Sequence, residues 1–287
     1  MTTGLLALLD LERLDQNTFR DPALHVGTAR ESQRTFGGQV LAQALMAASR
    51  TVSNDRRAHS LHAYFLEPGS NASPIDYTVE HTRDGRTLSA RRVLAHQSGR
   101  LLFTLTASFH IVEDGLEHSD PMPPGVPDAE ECPLFADVLR RRFGDAVAGW
   151  VEWHGLEVRY AGDSVRQIPS NAHSAHMRVW ARAVEALPED HRVHQAIAAY
   201  LSDLTILSVA TIPHKVPLIS PNVQAASIDH AMWFHRGLRA DQWLLYDQIS
   251  PSASGAMGFS TGRIFQDGTL RASLGQEGLV RVRSAQQ

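Results

Sequence analysis

Moved against itself by 169 positions, the chain aligns without a gap from residue 58 to residue 111. Phe65 then falls on Phe234, Tyr77 on Tyr246, Gln97 on Gln266, Gly99 on Gly268, Leu101 on Leu270 and Leu105 on Leu274. Such a repeat restricts the fold to two copies of one plan. The strand signal defines that plan. From Arg100 to Ile111, Leu101, Phe103, Leu105, Ala107, Phe109 and Ile111 share one face, while Thr104, Thr106, Ser108 and His110 share the other, the alternation of a half-buried strand. The turn Gln97-Ser98-Gly99-Arg100 joins it to a strand over 88–96, and Asp267-Gly268 marks the equivalent hairpin in the second copy. Further strands are expected near 223–236, 243–250, 256–266 and 269–283. A helix follows Gly37-Gly38, with Val40, Leu41, Ala44, Leu45, Ala48 and Val52 at helical spacing. A second helix is expected near 194–210, and residues 5–19 read as a short amphipathic segment. Each half is therefore one helix plus a long antiparallel sheet, an α+β plan.

The divisions follow: residues 1–112 form one repeat, 113–149 a proline-rich linker with Pro121, Pro123, Pro124, Pro127 and Pro133, and 150–287 the second repeat. With 287 residues and 43% hydrophobic content the chain can bury a core without covalent staples. A lone Cys132 excludes an internal disulfide framework and a multi-cysteine zinc site. A net charge of −4 points to no nucleic-acid partner. No apolar run reaches the roughly 18 residues of a membrane span, and Met1-Thr2-Thr3-Gly4 lacks the basic start of a signal peptide. A cytoplasmic location is expected.

Several motifs are decoys. Gly258-Phe259-Ser260-Thr261-Gly262 matches Gly-x-Ser-x-Gly, but a nucleophile elbow needs a strand, a sharp turn and a helix, and this segment reads as strand throughout. The pairs His59/His62, His173/His176 and His191/His194 belong to no metal-binding signature, so neither a metal nor another cofactor is expected. Three polar residues are more informative. On a helix over 194–210, Asp203 shares a face with Ala196, Ala199, Tyr200, Ile206, Leu207 and Ala210, and a carboxylate placed there needs hydrogen-bond partners or a raised pKa. Gln276 is a polar intruder among Leu270, Ala272, Leu274, Gly278, Val280 and Val282. Ser227 shares parity with Val223, Ala225, Ala231 and Trp233. Their repeat counterparts are Ala107 and Ala58, so the polar groups occur in one copy only.

The chain resembles the acyl-CoA thioesterase II family. The resemblance rests on Phe36-Gly37-Gly38-Gln39-Val40, Ala63-Tyr64-Phe65-Leu66-Glu67-Pro68-Gly69 and Ser89-Ala90-Arg91-Arg92-Val93 in the first half. In the second half it rests on Tyr200-Leu201-Ser202-Asp203, on residues 227–236 from Ser227 to Arg236, and on Gln276-Glu277-Gly278. It implies a double hotdog, two tandem repeats each with a central helix wrapped by an antiparallel sheet. It further implies hydrolysis of fatty acyl-CoA by a water that Asp203, Ser227 and Gln276 position. The family's usual hydroxyl residue is Thr; Ser227 keeps the hydroxyl and loses a methyl. Gly38 and Gln39 are candidate oxyanion donors, and His235 and Arg236 candidate contacts to substrate phosphate. A homo-oligomer is expected. The alternatives are a hotdog protein that binds acyl-CoA without cleaving it and a hotdog enoyl-CoA hydratase.

Overall fold

The computed structural model describes residues 4–21, 34–145, 155–167, 173–218 and 220–283. In chain order the first half contains α1 (Leu5–Leu9), β1 (Glu12–Arg13), β2 (Thr18–Arg20), α2 (Gly37–Ser49), β3 (Arg56–Phe65), β4 (Asp76–Asp84), β5 (Leu88–Gln97) and β6 (Arg100–Ile111). Next come α3 (Phe135–Phe143), β7 (Leu156–Gln167), β8 (His173–Ala183), α4 (His191–Ser202) and α5 (Ile206–Val209). The chain finishes with β9 (Val223–Ser227), β10 (Asp229–Phe234), β11 (Leu244–Ser254), β12 (Met257–Gln266) and β13 (Thr269–Val282). The strands form one antiparallel sheet in the order β1-β2-β4-β5-β6-β3-β10-β13-β12-β11-β8-β7, with β9 also paired to β13.

The repeat is legible in the register. At the seam, β3 pairs with β10 so that His62 lies opposite Ala231. Those two residues are each other's counterparts, so a pseudo-twofold axis passes between them, as at the contact of a symmetric dimer. The irregularities repeat as well. The β3–β6 ladder slips between Ala58 and Ser60, and at the counterpart position, Ile228, the second copy breaks into β9 and β10. The β5–β6 ladder shifts between Ala95 and His96, and the β12–β13 ladder shifts at the equivalent step between Ile264 and Phe265. Both hairpins turn on two left-handed residues, Ser98 and Gly99 (φ 51° and 79°) and Asp267 and Gly268 (φ 52° and 74°), the turn that matches the sheet twist.

α2 and α4 pack together inside the sheet, and α2 is buried from Gly38 to Ser49. Its small residues permit close approach. A Cβ on Gly38 would sit 2.7 Å from the backbone oxygen of Tyr200, which has little freedom to yield.

Four expectations change. The helix expected over 194–210 ends at Ser202, and Asp203 is its C-cap, not a residue of a continuous face. Local polar groups compete with the helix there: Tyr246 Oη donates to the Ser202 carbonyl, Ser208 Oγ to that of Thr205 and Thr211 Oγ1 to that of Ser208. The strand expected over 223–236 is interrupted at Ile228, and the extra residue reverses the parity beyond it. Ala231 and Trp233 therefore face away from Ser227's side, and Trp233 is 41% exposed, whereas His230, Met232 and Phe234 face inward. The 113–149 segment contains α3, which buries Phe135 and Val138. Residues 146–149 lie outside the described residues. The 5–19 segment resolves into α1 and most of the β1–β2 hairpin. By length and composition His191–His214 could cross a membrane, yet 78% of its most apolar window is buried inside the fold.

Candidate active site

Four elements converge where α4 ends against the start of α2. Ser227 Oγ donates to Asp203 Oδ1 at 3.1 Å and accepts from Gln276 Nε2 at 2.9 Å. Gln276 Oε1 lies 2.5 Å from His230 Nδ1, and His230 Nε2 lies 2.9 Å from Ser202 Oγ. An amide oxygen can only accept, so His230 carries its proton on Nδ1, while the one Ser202 hydroxyl proton lies between His230 Nε2 and the Ala199 carbonyl at 2.7 Å. From His230 the chain runs in one direction, with His230 donating to Gln276, Gln276 to Ser227 and Ser227 to Asp203. Burial lowers His230 to about 4 while its bond to Gln276 opposes the shift, so the imidazole is neutral at pH 7.

Asp203 is buried, and that burial raises its carboxyl to about 6 against the hydrogen bonds from Gln276, Ser227 and the Gly38 N–H. The Gly38 bond is available because of the local sequence. Phe36 at the N-cap of α2 has no side-chain acceptor, so the Gly38 N–H remains open to another partner, and the positive end of the helix faces the carboxylate. Gly37 supplies clearance. A Cβ there would lie 2.7 Å from Asp203 Oδ2 and 3.0 Å from the Phe65 ring.

Beside this group opens a cavity of about 460 Å³, lined among others by Gly37, Val40, Phe65, Leu102, Ser227 and Ile228. Its walls come from both halves of the chain. The structure thus brings Asp203, Ser227 and Gln276 together with Gly38. Gln39 N–H is taken by the Phe36 carbonyl, and the Gln39 side chain does not line this cavity. His235 and Arg236 line a different cavity, on the other side of the pseudo-twofold axis. Sequence reasoning passed over His230 because its parity was read straight through the Ile228 break. Met232 and Phe234 two and four residues on, both apolar and on His230's own parity, were the available signal. Asp229 bonds the Glu277 N–H at 2.7 Å and closes the interrupted ladder. Ser260 lies in mid-strand opposite Gln276, with no helix following, so no elbow forms. Among the described residues no cluster of His, Cys, Asp and Glu could hold a metal ion; the His173 side chain lies outside them.

Comparison with known proteins covers both halves. A family model described as acyl-CoA thioesterase matches residues 159–279, and one described as acyl-CoA thioesterase N-terminal domain matches residues 27–110. The chain is 36% identical to acyl-CoA thioesterase 2 of Haemophilus influenzae, with 97% of each protein covered. It is 35% identical to human acyl-coenzyme A thioesterase 8, covering 96% of this chain and 88% of the relative. Among solved structures, an acyl-CoA thioesterase II from Mycobacterium marinum superposes with a TM-score of 0.76 at 37% identity over 99% of both chains. A hot dog fold protein from Alicyclobacillus acidocaldarius superposes with a TM-score of 0.77 at 21% identity, covering 99% of this chain and 100% of that one, a likeness of fold.

Proposed function

We propose, on the premise that this chain belongs to the acyl-CoA thioesterase family and hydrolyses acyl-CoA thioesters, that Asp203, Ser227 and Gln276 deliver the hydrolytic water to a fatty acyl-CoA bound in the adjacent cavity. The observation that carries the reading is the buried carboxylate at the end of a one-way chain of donors. A carboxyl near 6 is mostly ionised at pH 7 yet basic enough to take a proton, which suits a general base. Water bonded to Asp203 attacks the thioester carbonyl carbon as its proton passes to the carboxylate. The C–S bond then breaks, the CoA thiolate leaves, and the proton returns to the sulfur. Ser227 and Gln276 fix the carboxylate and the water by hydrogen bonds, and His230 holds the Gln276 amide in its orientation. A thioester is already activated, so a placed water suffices without a covalent intermediate.

The fold reading is a double hotdog. It is supported by the matched bulges, the seam at His62 and Ala231, and the two central helices. Its units are 1–112 and 150–287 with 113–149 between them. A cytoplasmic location and a homo-oligomer complete the proposal. Tyr64 and Trp233, repeat counterparts exposed on the outer side of the seam strands, offer a symmetric aromatic face for such an assembly.

The test is free-thiol release from a panel of acyl-CoAs of increasing chain length. Release supports hydrolysis at this site when Asp203→Asn abolishes it. Crotonyl-CoA hydration without thiol release would favour a hydratase, and tight binding without turnover a non-catalytic carrier.

A further inference from the structure

The cavity beside Asp203 continues outward along β9. It shares Arg34, Gln224 and Ala225 with a smaller cavity of about 260 Å³, which Val223 and Arg283 also line. β9 leads from the carboxylate to this mouth. Ser227 bonds Asp203, and at a strand rise of about 3.3 Å per residue Gln224 lies about 10 Å further along. Among the described strands β9 pairs with β13 alone. Its other edge, which the cavity follows at Ala225, is therefore without a strand and can bond a chain laid beside it.

The mouth is cationic. Arg281 and Arg283 are exposed at the end of β13, and both guanidiniums donate to one oxygen, Gln224 Oε1, at 3.2 Å and 3.3 Å. Neither makes an ion pair with a described residue. Two like charges that converge on a neutral oxygen repel each other, and most of their N–H donors remain open to a further acceptor. Glu67, the one carboxylate among the described residues lining the two cavities, is paired with Arg100. The charge belongs to this copy of the repeat. The shift of 169 positions puts Asp55, Val112 and Asp114 where Gln224, Arg281 and Arg283 stand. With a net charge of −4 over the whole chain, a local excess of arginine does not follow from composition.

An open strand edge that runs from the hydrolytic carboxylate to the Arg281 and Arg283 guanidiniums suits a ligand whose reacting end is joined to phosphates by a chain of amides. We propose that Arg34, Arg281 and Arg283 bind the phosphates of the CoA moiety, with the pantetheine arm laid along the open edge of β9 and the thioester at Asp203. The phosphates then meet different arginines from Arg236, which lines the other cavity and is held by Glu117. The inference rests on the reading that the Asp203 cavity is the hydrolytic one.

The test compares kcat/KM of the full chain for two thioesters of one acyl chain, the acyl-CoA and the acyl-pantetheine that lacks the phosphates. The chain used is the one giving the fastest thiol release. Arg281→Gln combined with Arg283→Gln should lower the ratio of the two values by about ten-fold or more, the scale of a lost charge-assisted hydrogen bond, and the loss should appear in KM for acyl-CoA. Arg281→Lys combined with Arg283→Lys should recover most of the ratio, because an ammonium still meets phosphate as a point charge. A ratio unchanged in the glutamine pair, whether both substrates are spared or both suffer equally, overturns the proposal. A lysine pair as poor as the glutamine pair overturns it too, since charge would not be what the arginines supply. Wild-type hydrolysis of acyl-pantetheine by Asp203→Asn would instead remove the hydrolytic reading. That result is obtained on a substrate with no phosphate for the arginines to meet, so the two failures are distinguishable.

Discussion

On the inner face of the second half stand Ser227, His230 and Gln276, while the same register positions of the first half hold Ala58, Leu61 and Ala107. The backbones of the two halves agree down to the positions of their bulges, so architecture does not demand the polar set. The difference extends to the helices. At the start of α2, Phe36 leaves the Gly38 N–H open and Gly37 leaves room for a carboxylate; at the start of α4, Asp190 caps the helix and His191 takes the place of Gly37. One copy has concentrated its polarity on a single carboxylate, and the other has filled the equivalent positions with side chains that cannot activate water. A duplicated fold can thus keep two cavities and assign them different chemistry.

The largest expected effect comes from Asp203→Asn, which removes the buried charge on which the comparison turns. Loss of a general base costs about 10²–10⁴-fold in kcat, and a variant keeping more than about a tenth of wild-type kcat would show that the carboxylate is not the base. The same substitution has a pH signature. Asp203 binds its proton more tightly folded than unfolded, so the native state is favoured while the group is protonated, and stability falls as pH rises from the ordinary carboxyl value of 3.8 to about 6. The full shift corresponds to roughly 3 kcal/mol. The Asn variant should therefore melt higher than wild type at pH 8, and that advantage should shrink at pH 4. In wild type, kcat/KM should rise with pH through about 6 and then level off.

Gly37→Ala attacks the clearance at the start of α2, where the start of α4 carries His191 instead. A methyl there meets Asp203 Oδ2 at 2.7 Å and the Phe65 ring at 3.0 Å, so the carboxylate or the ring must move. Displacement of a reacting group by about 1 Å can cost about 10²-fold. We expect a loss in kcat of that order, with circular dichroism unchanged. Wild-type turnover by this variant would mean that Asp203 tolerates displacement and that its position is not tuned.

Ser227→Ala and Gln276→Ala restore, one at a time, the residues of the first half. Each removes a hydrogen bond worth about 0.5–1.5 kcal/mol, a few-fold in rate at the least. Ser227→Thr keeps the hydroxyl and should retain activity. Loss of the Ser227 or Gln276 bond also removes a group that holds the Asp203 carboxyl down, so the pH at which kcat/KM rises should move upward in both alanine variants. That movement separates positioning of Asp203 from a merely structural role.

Much of this asymmetry is legible in the sequence, because a repeat lets each residue be compared with its own counterpart. Ala58 and Ala107 marked Ser227 and Gln276 as additions. The strand plan and both hairpins were equally plain, since alternation and the turn pairs Ser98-Gly99 and Asp267-Gly268 are local signals. The break at Ile228 was not legible. A bulge leaves no mark in composition, and parity read through it puts Ala231 and Trp233 on Ser227's face. The end of α4 at Ser202 was also hidden, because the apolar residues Ile206, Leu207 and Ala210 keep helical spacing beyond it. The bond that stops the helix comes from Tyr246, 44 residues away. The meeting of Gly37 with Asp203 depends on how two helices pack, which spacing within either helix does not encode.

The smallest effect is expected from Cys132→Ser, and it tests the asymmetry outside the site. The proline-rich segment between the halves docks on the second copy, where Cys132 and Ala129 pack with Trp180, Leu245 and Phe265, and Trp180 Nε1 donates to the Pro127 carbonyl at 2.9 Å. Burial pushes the thiol above its ordinary value, with Arg159 opposing the shift, so it stays protonated at pH 7 and is a poor nucleophile. The cavity beside Asp203 is lined by other residues. Replacing sulfur with oxygen puts a hydroxyl into an apolar cluster, where an unsatisfied group costs about 1–3 kcal/mol. The sulfur lies 4.0 Å from the Pro127 carbonyl oxygen, close enough for modest relaxation to give a hydroxyl that acceptor and hold the cost near the lower end. For a chain of this size that is a fall in Tm of about 2–4 °C. kcat should remain at the wild-type value. A well-folded Cys132→Ser protein without thiol-releasing activity would place a thiol in the reaction and break the water mechanism. A lowered Tm with unchanged kcat would show that this segment stabilises the second half without entering its chemistry.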